Sequence, residues 1–93
     1  MSQVEFNDFC NAHRADGYTE FLEKAWTPNL QLELHQHNFA VKARVVAGEM
    51  WLSHGGQDLH LGAGAEFALE VNVPHTERYG EQGALVWIAR RYN

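Results

Sequence analysis

Ninety-three residues leave room for one domain built around one core. At 45% hydrophobic and 20% charged, with three Trp, three Tyr and five Phe, the chain is too apolar and too aromatic for a disordered segment. Twelve acidic against seven basic residues, a formal charge of −5, argue against nucleic acid and anionic membrane as partners. The lone Cys10 rules out an internal disulfide and a cysteine-built metal cluster, fits a reducing compartment, and reads as a packing residue. No basic segment leads into an apolar run, and no stretch of about 18 apolar residues occurs. The expectation is a cytoplasmic chain forming one domain over residues 1–93, with a helix over 2–14 and strands over 18–92.

The helix carries Phe6, Phe9, Cys10 and His13 at i, i+3, i+4 and i+7, one apolar stripe at helical period. Ser2 and Glu5 have capping-box spacing at its start, and Asp16-Gly17 stops it. From Tyr18 the period becomes two. Tyr18–Trp26 reads as a strand closed by Thr27-Pro28-Asn29. Leu30–His37 alternates, with Leu30, Leu32 and Leu34 on one face and Gln31, Glu33, His35 and His37 on the other. Phe39–Val46 and Glu49–Ser53 follow, parted by a bend at Gly48, and His54-Gly55-Gly56-Gln57 is a hairpin tip. Asp58–Leu61 and Phe67–Leu69 flank a break at Gly62-Ala63-Gly64. Glu70–Pro74 turns into His75–Tyr79, Gly80–Gly83 turns again, and Ala84–Arg91 is the last strand. About eight short strands separated by Gly and Asn turns predict an all-β sandwich or barrel.

Among the histidines, His13 belongs to the helix stripe, His54 to an exposed turn, and His60 to a short strand where a structural role is favoured. His35 and His37 differ. At i, i+2 on a strand they share a face with Cβ atoms roughly 6.5 Å apart, and both imidazoles reach one ion at about 2.0–2.1 Å. His75 opens a later strand, which a sandwich can lay beside the first. Three imidazoles and an open position suit Zn, Ni, Fe, Mn or Cu, and ligand softness does not choose among them. Alternation puts Gln31 and Glu33 on the face of His35 and His37 unless a bulge intervenes, and puts Glu77 and Tyr79 on the face of His75.

These histidines lie in a pattern that resembles the cupin superfamily of small jelly-roll, or double-stranded β-helix, barrels. His35-Gln36-His37 followed by Gly48-Glu49 is similar to the first half of the cupin pattern. Gly64, Glu70-Val71-Asn72 and Val73-Pro74-His75 are similar to the second, with Tyr79 where the pattern has Asn. The resemblance runs from about Gln31 to Trp87. It implies an all-β cupin barrel behind a short N-terminal α-helix and a divalent metal held by the first-half histidines, a glutamate and the second-half histidine. It also leans towards a homodimer. His35, His37 and His75 match the histidine ligands. The glutamate position falls on Val41 or Lys42, neither a carboxylate, and alternation points Val41 inward. The site is then a three-histidine site, or takes a carboxylate from elsewhere, or is empty. In the family's turn Glu70 and Asn72 replace Pro and Gly, and Asn tolerates the left-handed conformation.

Gln31, Glu33, Val41 and Lys42 are the expected pocket lining, and Lys42 turned inward would favour an anionic ligand. Glu77 is the candidate for the missing carboxylate, as ligand, imidazole partner or general base, and Tyr79 offers a phenol to a substrate oxygen. A metal-binding cupin of oxygenase, isomerase or hydrolase type is one reading. The second is a non-catalytic module that holds a sugar or organic acid without metal. The third is a metal-free enzyme moving protons through Glu77, Tyr79 and a histidine. All take a small-molecule ligand. Leu30, Leu32 and Leu34 need cover, from the helix through Phe6 and Phe9, from the strand around Phe21 and Trp26, or from a second subunit.

Overall fold

A computed structural model describes residues 3–92, so the capping expectation at Ser2 lies outside the described residues. The chain runs α1 (Gln3–Arg14), β1 (Glu20–Trp26), β2 (Gln31–His35), β3 (Phe39–His54), β4 (Gln57–Gly62), β5 (Glu66–Leu69) and β6 (His75–Tyr92). Every strand pairing is antiparallel. The expectation of about eight short strands is corrected to six, because β3 and β6 each run through a place read as a break. Gly48 and Gly83 take φ of +76° and +69° where the two backbones cross, and Gly48 pairs with Ala84. A Cβ on Gly48 would collide with the Gly83 carbonyl oxygen and lie 2.9 Å from the Ala84 Cα. Glycine here bends a continuous ladder instead of ending it.

Since β3 and β6 stay paired through both bends, the sheet folds into two layers. The first half of β3 and the second half of β6 carry β5 and β1 on their outer edges, in the order β1-β6-β3-β5. The remaining halves carry β2 and β4, in the order β2-β6-β3-β4. Among the described residues no ladder joins the β4 and β5 edges back to β1 and β2. The fold is thus all-β with one short helix, a doubly bent sheet whose hydrogen bonds do not close into a ring.

Alternation then sorts side chains into two cores. Val41, Ala43 and Val45 with Val86 and Ile88 point between the layers and meet Met50 and Leu52. Their neighbours Ala40, Trp87 and Ala89 point outward, where Phe9, Cys10 and Tyr18 cover them. The helix is therefore a lid on the outer face of the β1-side layer. Phe9 and Trp87 are each 2% exposed, and burying a phenylalanine contributes roughly 1.5–3 kcal/mol. The Trp87 indole donates to Glu23 at 2.8 Å, so its polar atom is satisfied beneath that lid.

The leucine face is corrected as well. Leu32 lies opposite Glu77 and His35 opposite His75, so β2 carries one extra residue between them. Such a bulge moves later side chains to the other face. Leu30 and Leu32 pack against the inner core, and only Leu34, 69% exposed, stays in solvent. The helix covers the opposite layer, and no continuous leucine face is left for a second subunit to cover.

Where the helix ends, His13 packs edge-on against Phe9 at 4.6 Å between ring centres, and its Nδ1 is buried without a partner. Burial, then the nearby Lys42 and more weakly Arg44, push its pKa below the ordinary 6.5, against Glu66 and Asp16. A histidine that the fold keeps neutral stabilises it above that value. As pH falls through about 6.5 the unfolded chain takes the proton first, and the contribution is lost towards acid. His13→Leu is expected to flatten the melting-temperature profile between about pH 7 and pH 5. An unchanged profile would show that His13 carries none of the acid loss.

Candidate metal centre

His35 ends β2 and His75 opens β6, and the ladder sets them opposite each other. His37 follows in the link to β3, where its carbonyl accepts from the Asn72 amide at 2.8 Å. Asn72 has φ of +62°, the left-handed conformation expected of the residue standing in for glycine. Ring centres are 4.2 Å apart for His35 and His75, 4.9 Å for His35 and His37, and 5.2 Å for His37 and His75. One ligand nitrogen from each ring lies within 4.8 Å of the others. His75 is buried at 2% exposure, and the other two are half-buried.

Hydrogen bonds decide the tautomers. His35 Nδ1 is 2.7 Å from the Glu33 carbonyl oxygen and His75 Nδ1 is 2.9 Å from that of Val73. A carbonyl only accepts, so both Nδ1 atoms carry hydrogen, and in the neutral form that binds metal each ring presents an Nε2 lone pair. Both lone pairs meet one atom, Glu77 Oε2, at 3.3 and 3.4 Å. A charge-assisted N–H···O bond is shorter, about 2.7–2.9 Å. Two donors on one ion at about 2.1 Å, with near-tetrahedral angles, stand about 3.4 Å apart. The spacing is therefore that of neighbouring donors and not of a hydrogen bond, and the three imidazoles form a donor set suited to a divalent ion.

The other oxygen of Glu77 accepts from the Tyr79 hydroxyl. Burial, then the charge of Glu77 and this hydrogen bond, push the Tyr79 pKa far up, so it remains a neutral donor. Its ring stacks on Trp26 at 5.0 Å. At His37, burial first and then the neighbouring His35 and His75 lower the pKa, Glu77 opposes them, and Arg90 adds to the lowering. Neutral imidazole is the form that binds metal.

Behind the histidines lies a cavity of about 420 Å³ whose wall includes Leu32, Val41, Met50, Val86 and Ile88. Val41 and Glu33 line it, but Glu33 also borders a groove on the outer surface. Gln31 does not line the cavity. It pairs with Arg78 across the ladder and borders the outer groove, because the bulge separates its face from that of His35. Lys42 does not line it either, since alternation along β3 turns it outward to Asp16 at 3.4 Å. Of the other histidines, His60 stacks on Trp51 and meets Glu49 at 2.8 Å on the outer surface. Lys24, Trp26, Phe39 and Arg90 also line the cavity, beyond the residues that alternation from the histidines places there. The signal was present as period-two runs, Leu22-Lys24-Trp26 and Val86-Ile88-Arg90, each with a core residue fixing the inward face.

No family model matches the chain and no curated protein matches it. Solved structures do. An RmlC-like cupin from Shewanella frigidimarina is similar with a TM-score of 0.69 and 19% identity, over 83% of this chain and 69% of that one. A predicted oxalate decarboxylase from Thermotoga maritima is similar with a TM-score of 0.71 and 15% identity, over 89% and 74%. A DMSP lyase from Ruegeria pomeroyi gives a TM-score of 0.67 and 20% identity over 78% of this chain and 36% of its own, so the chain spans about a third of that enzyme. Likeness at such identities speaks to architecture alone, and with the two-layer topology it shows a cupin-like fold.

Proposed function

We propose that this protein is a metal-dependent cupin in which His35, His37 and His75 hold a divalent ion, with Glu77 as fourth donor, beside a cavity that takes a small organic molecule. The observation that carries this reading is the pair of Nε2 atoms, both freed by Nδ1–H bonds to carbonyls, at 3.3 and 3.4 Å from one carboxylate oxygen. Bound there, Zn, Ni, Fe, Mn or Cu supplies Lewis-acid polarisation or redox chemistry. The Glu33 and Val73 carbonyls fix the imidazoles in the ligating tautomer. Tyr79 donates to one oxygen of Glu77 and so keeps the other directed at His35 and His75. Because its pKa is pushed up, Tyr79 keeps its proton through neutral pH and acts as a positioning donor. The apolar wall excludes water from a ligand's body. A homodimer rests on the cupin resemblance alone. No helix among the described residues is long and apolar enough to cross a membrane.

Elemental analysis of purified, untagged protein tests the reading, with a His35→Ala/His37→Ala double variant as control. Near-stoichiometric metal that disappears in the variant is expected. Metal far below stoichiometry that does not rise when Zn, Ni, Mn or Fe(II) is added would overturn it in favour of a metal-free binding module.

A further inference from the structure

Two cations line the cavity without belonging to the histidine cluster, Lys24 from β1 and Arg90 from β6. Arg90 stands opposite Glu20 in the ladder, on the same inward face as Val86 and Ile88. Its Nη1 donates to Glu20 Oε1 at 2.7 Å, and its guanidinium carbon lies 4.7 Å from the centre of the Phe39 ring. Its Nε is buried with no hydrogen-bond partner. A guanidinium has five N–H donors in a rigid fork suited to a carboxylate. This one spends Nη1 on Glu20 and keeps an orphan inside, and a buried unsatisfied donor is costly.

The same Phe39 ring stacks on His37 at 4.7 Å. The guanidinium carbon is therefore within about 9.4 Å of the His37 ring centre, since Phe39 lies 4.7 Å from each. A molecule of a few carbons spans that gap. Lys24 forms no ion pair among the described residues; its ammonium lies over the Trp26 ring at 4.5 Å, further along β1 from Glu20. It is exposed and adds positive potential from the neighbouring strand. Glu33 and Glu77 also line the cavity and keep their charge, so the guanidinium fork, and not the net charge of the wall, is what favours an anion. No glycine lines the cavity to supply the backbone cradle that a phosphate dianion favours.

We propose that the cavity binds a small organic carboxylate whose anionic group pairs with Arg90, whose apolar body lies against Phe39, and whose far end reaches the histidine cluster. The far end rests on the metal-centre reading; the anion anchor does not, because Arg90 is not one of the metal-binding residues. Glu20 is the anchor's internal competitor, a carboxylate of the chain itself occupying part of the fork. This gives the proposal a signature that a merely structural Arg90 lacks.

The test is calorimetric titration with butyrate and benzoate against butyramide and benzamide, on metal-loaded and metal-stripped protein. The stripped arm is needed because a carboxylate also ligates a metal, and it decides the anchor even if the chain takes up no metal. In both arms the carboxylates are expected to bind at least about tenfold tighter than the amides. Arg90→Gln should remove that preference in the stripped protein, and Glu20→Gln, by freeing the fork, should tighten carboxylate binding severalfold. Metal content should be unchanged in both variants. A gain in affinity cannot come from a damaged fold, so Glu20→Gln keeps the proposal falsifiable if Arg90→Gln folds poorly. Equal binding of acids and amides, a preference that survives Arg90→Gln, weaker binding in Glu20→Gln, or no carboxylate bound at about 10 mM would each overturn it.

Discussion

Gly83→Ala is expected to cost more than about 4 kcal/mol and to leave much of the chain unfolded at 25 °C, an effect reserved for a few mechanisms. Left-handed φ is the smaller part. At +69° an alanine pays roughly 1–2 kcal/mol for its Cβ. The larger part is space. A Cβ there would collide with the Trp26 carbonyl oxygen, and would lie 3.2 Å from the Pro28 nitrogen and 3.3 Å from the Thr27 carbonyl carbon. All three are backbone atoms of the segment that closes β1, so none can swing aside as a side chain would. Relief requires β1 to separate from β6 beside the Trp26–Ala84 pair, next to the point where Gly48 crosses Ala84. Gly64→Ala is the control: its φ is +91°, but nothing lies within 4 Å of the added carbon. That variant should lose only the conformational part. Urea unfolding followed by circular dichroism separates the two, and equal losses would show that the close approach of the backbones is not what requires glycine at 83.

The same crossing explains what the amino-acid pattern discloses and what it hides. Gly48 and the Gly80–Gly83 stretch carry the composition of turns, and glycine marks a sharp bend in a continuous ladder in the same way. What distinguishes the two is another strand's backbone lying against the glycine, a fact absent from any local window. The bulge in β2 is silent for a related reason. Gln31-Leu32-Glu33-Leu34-His35 alternates without a flaw, yet the ladder admits one residue too many, and Leu34 is left in solvent instead of joining Leu32. Where a core residue anchors the face, alternation reads well. Glu77 and Tyr79 follow His75 inward, and Val41 is correctly separated from Lys42. Arg90 was legible by that rule, two positions beyond Ile88. A strand ending in charged residues invites the reading that its last side chains are solvated, and this one turns inward over an aromatic ring.

Comparing His75→Ala with His37→Ala separates ligation from support. Both are expected to lower metal affinity by more than about 100-fold, beyond what loss of an outer-shell partner costs. Their effects on the metal-free fold should differ. His75 is 2% exposed, donates to the Val73 carbonyl at 2.9 Å, and lies against Glu77. Its removal leaves an acceptor unpaired and a carboxylate in a newly emptied pocket, each costing roughly 1–3 kcal/mol. His37 is half-exposed, and its ring stacks on Phe39 and lies near the other two imidazoles. Its loss should change metal-free stability little. Linkage supplies the readout. A metal that binds only the folded chain stabilises it by about 4 kcal/mol at a thousandfold excess over Kd, so the wild-type melting temperature should rise with added metal and neither variant should follow. If His37→Ala keeps the full metal-dependent rise, the ion is held by His35, His75 and Glu77 alone, and the three-histidine centre is wrong. If neither the wild type nor the variants respond, the Nε2 pair faces Glu77 for a reason other than metal. The low metal-free stability of His75→Ala would then remain as the mark of a buried polar network that the fold itself requires.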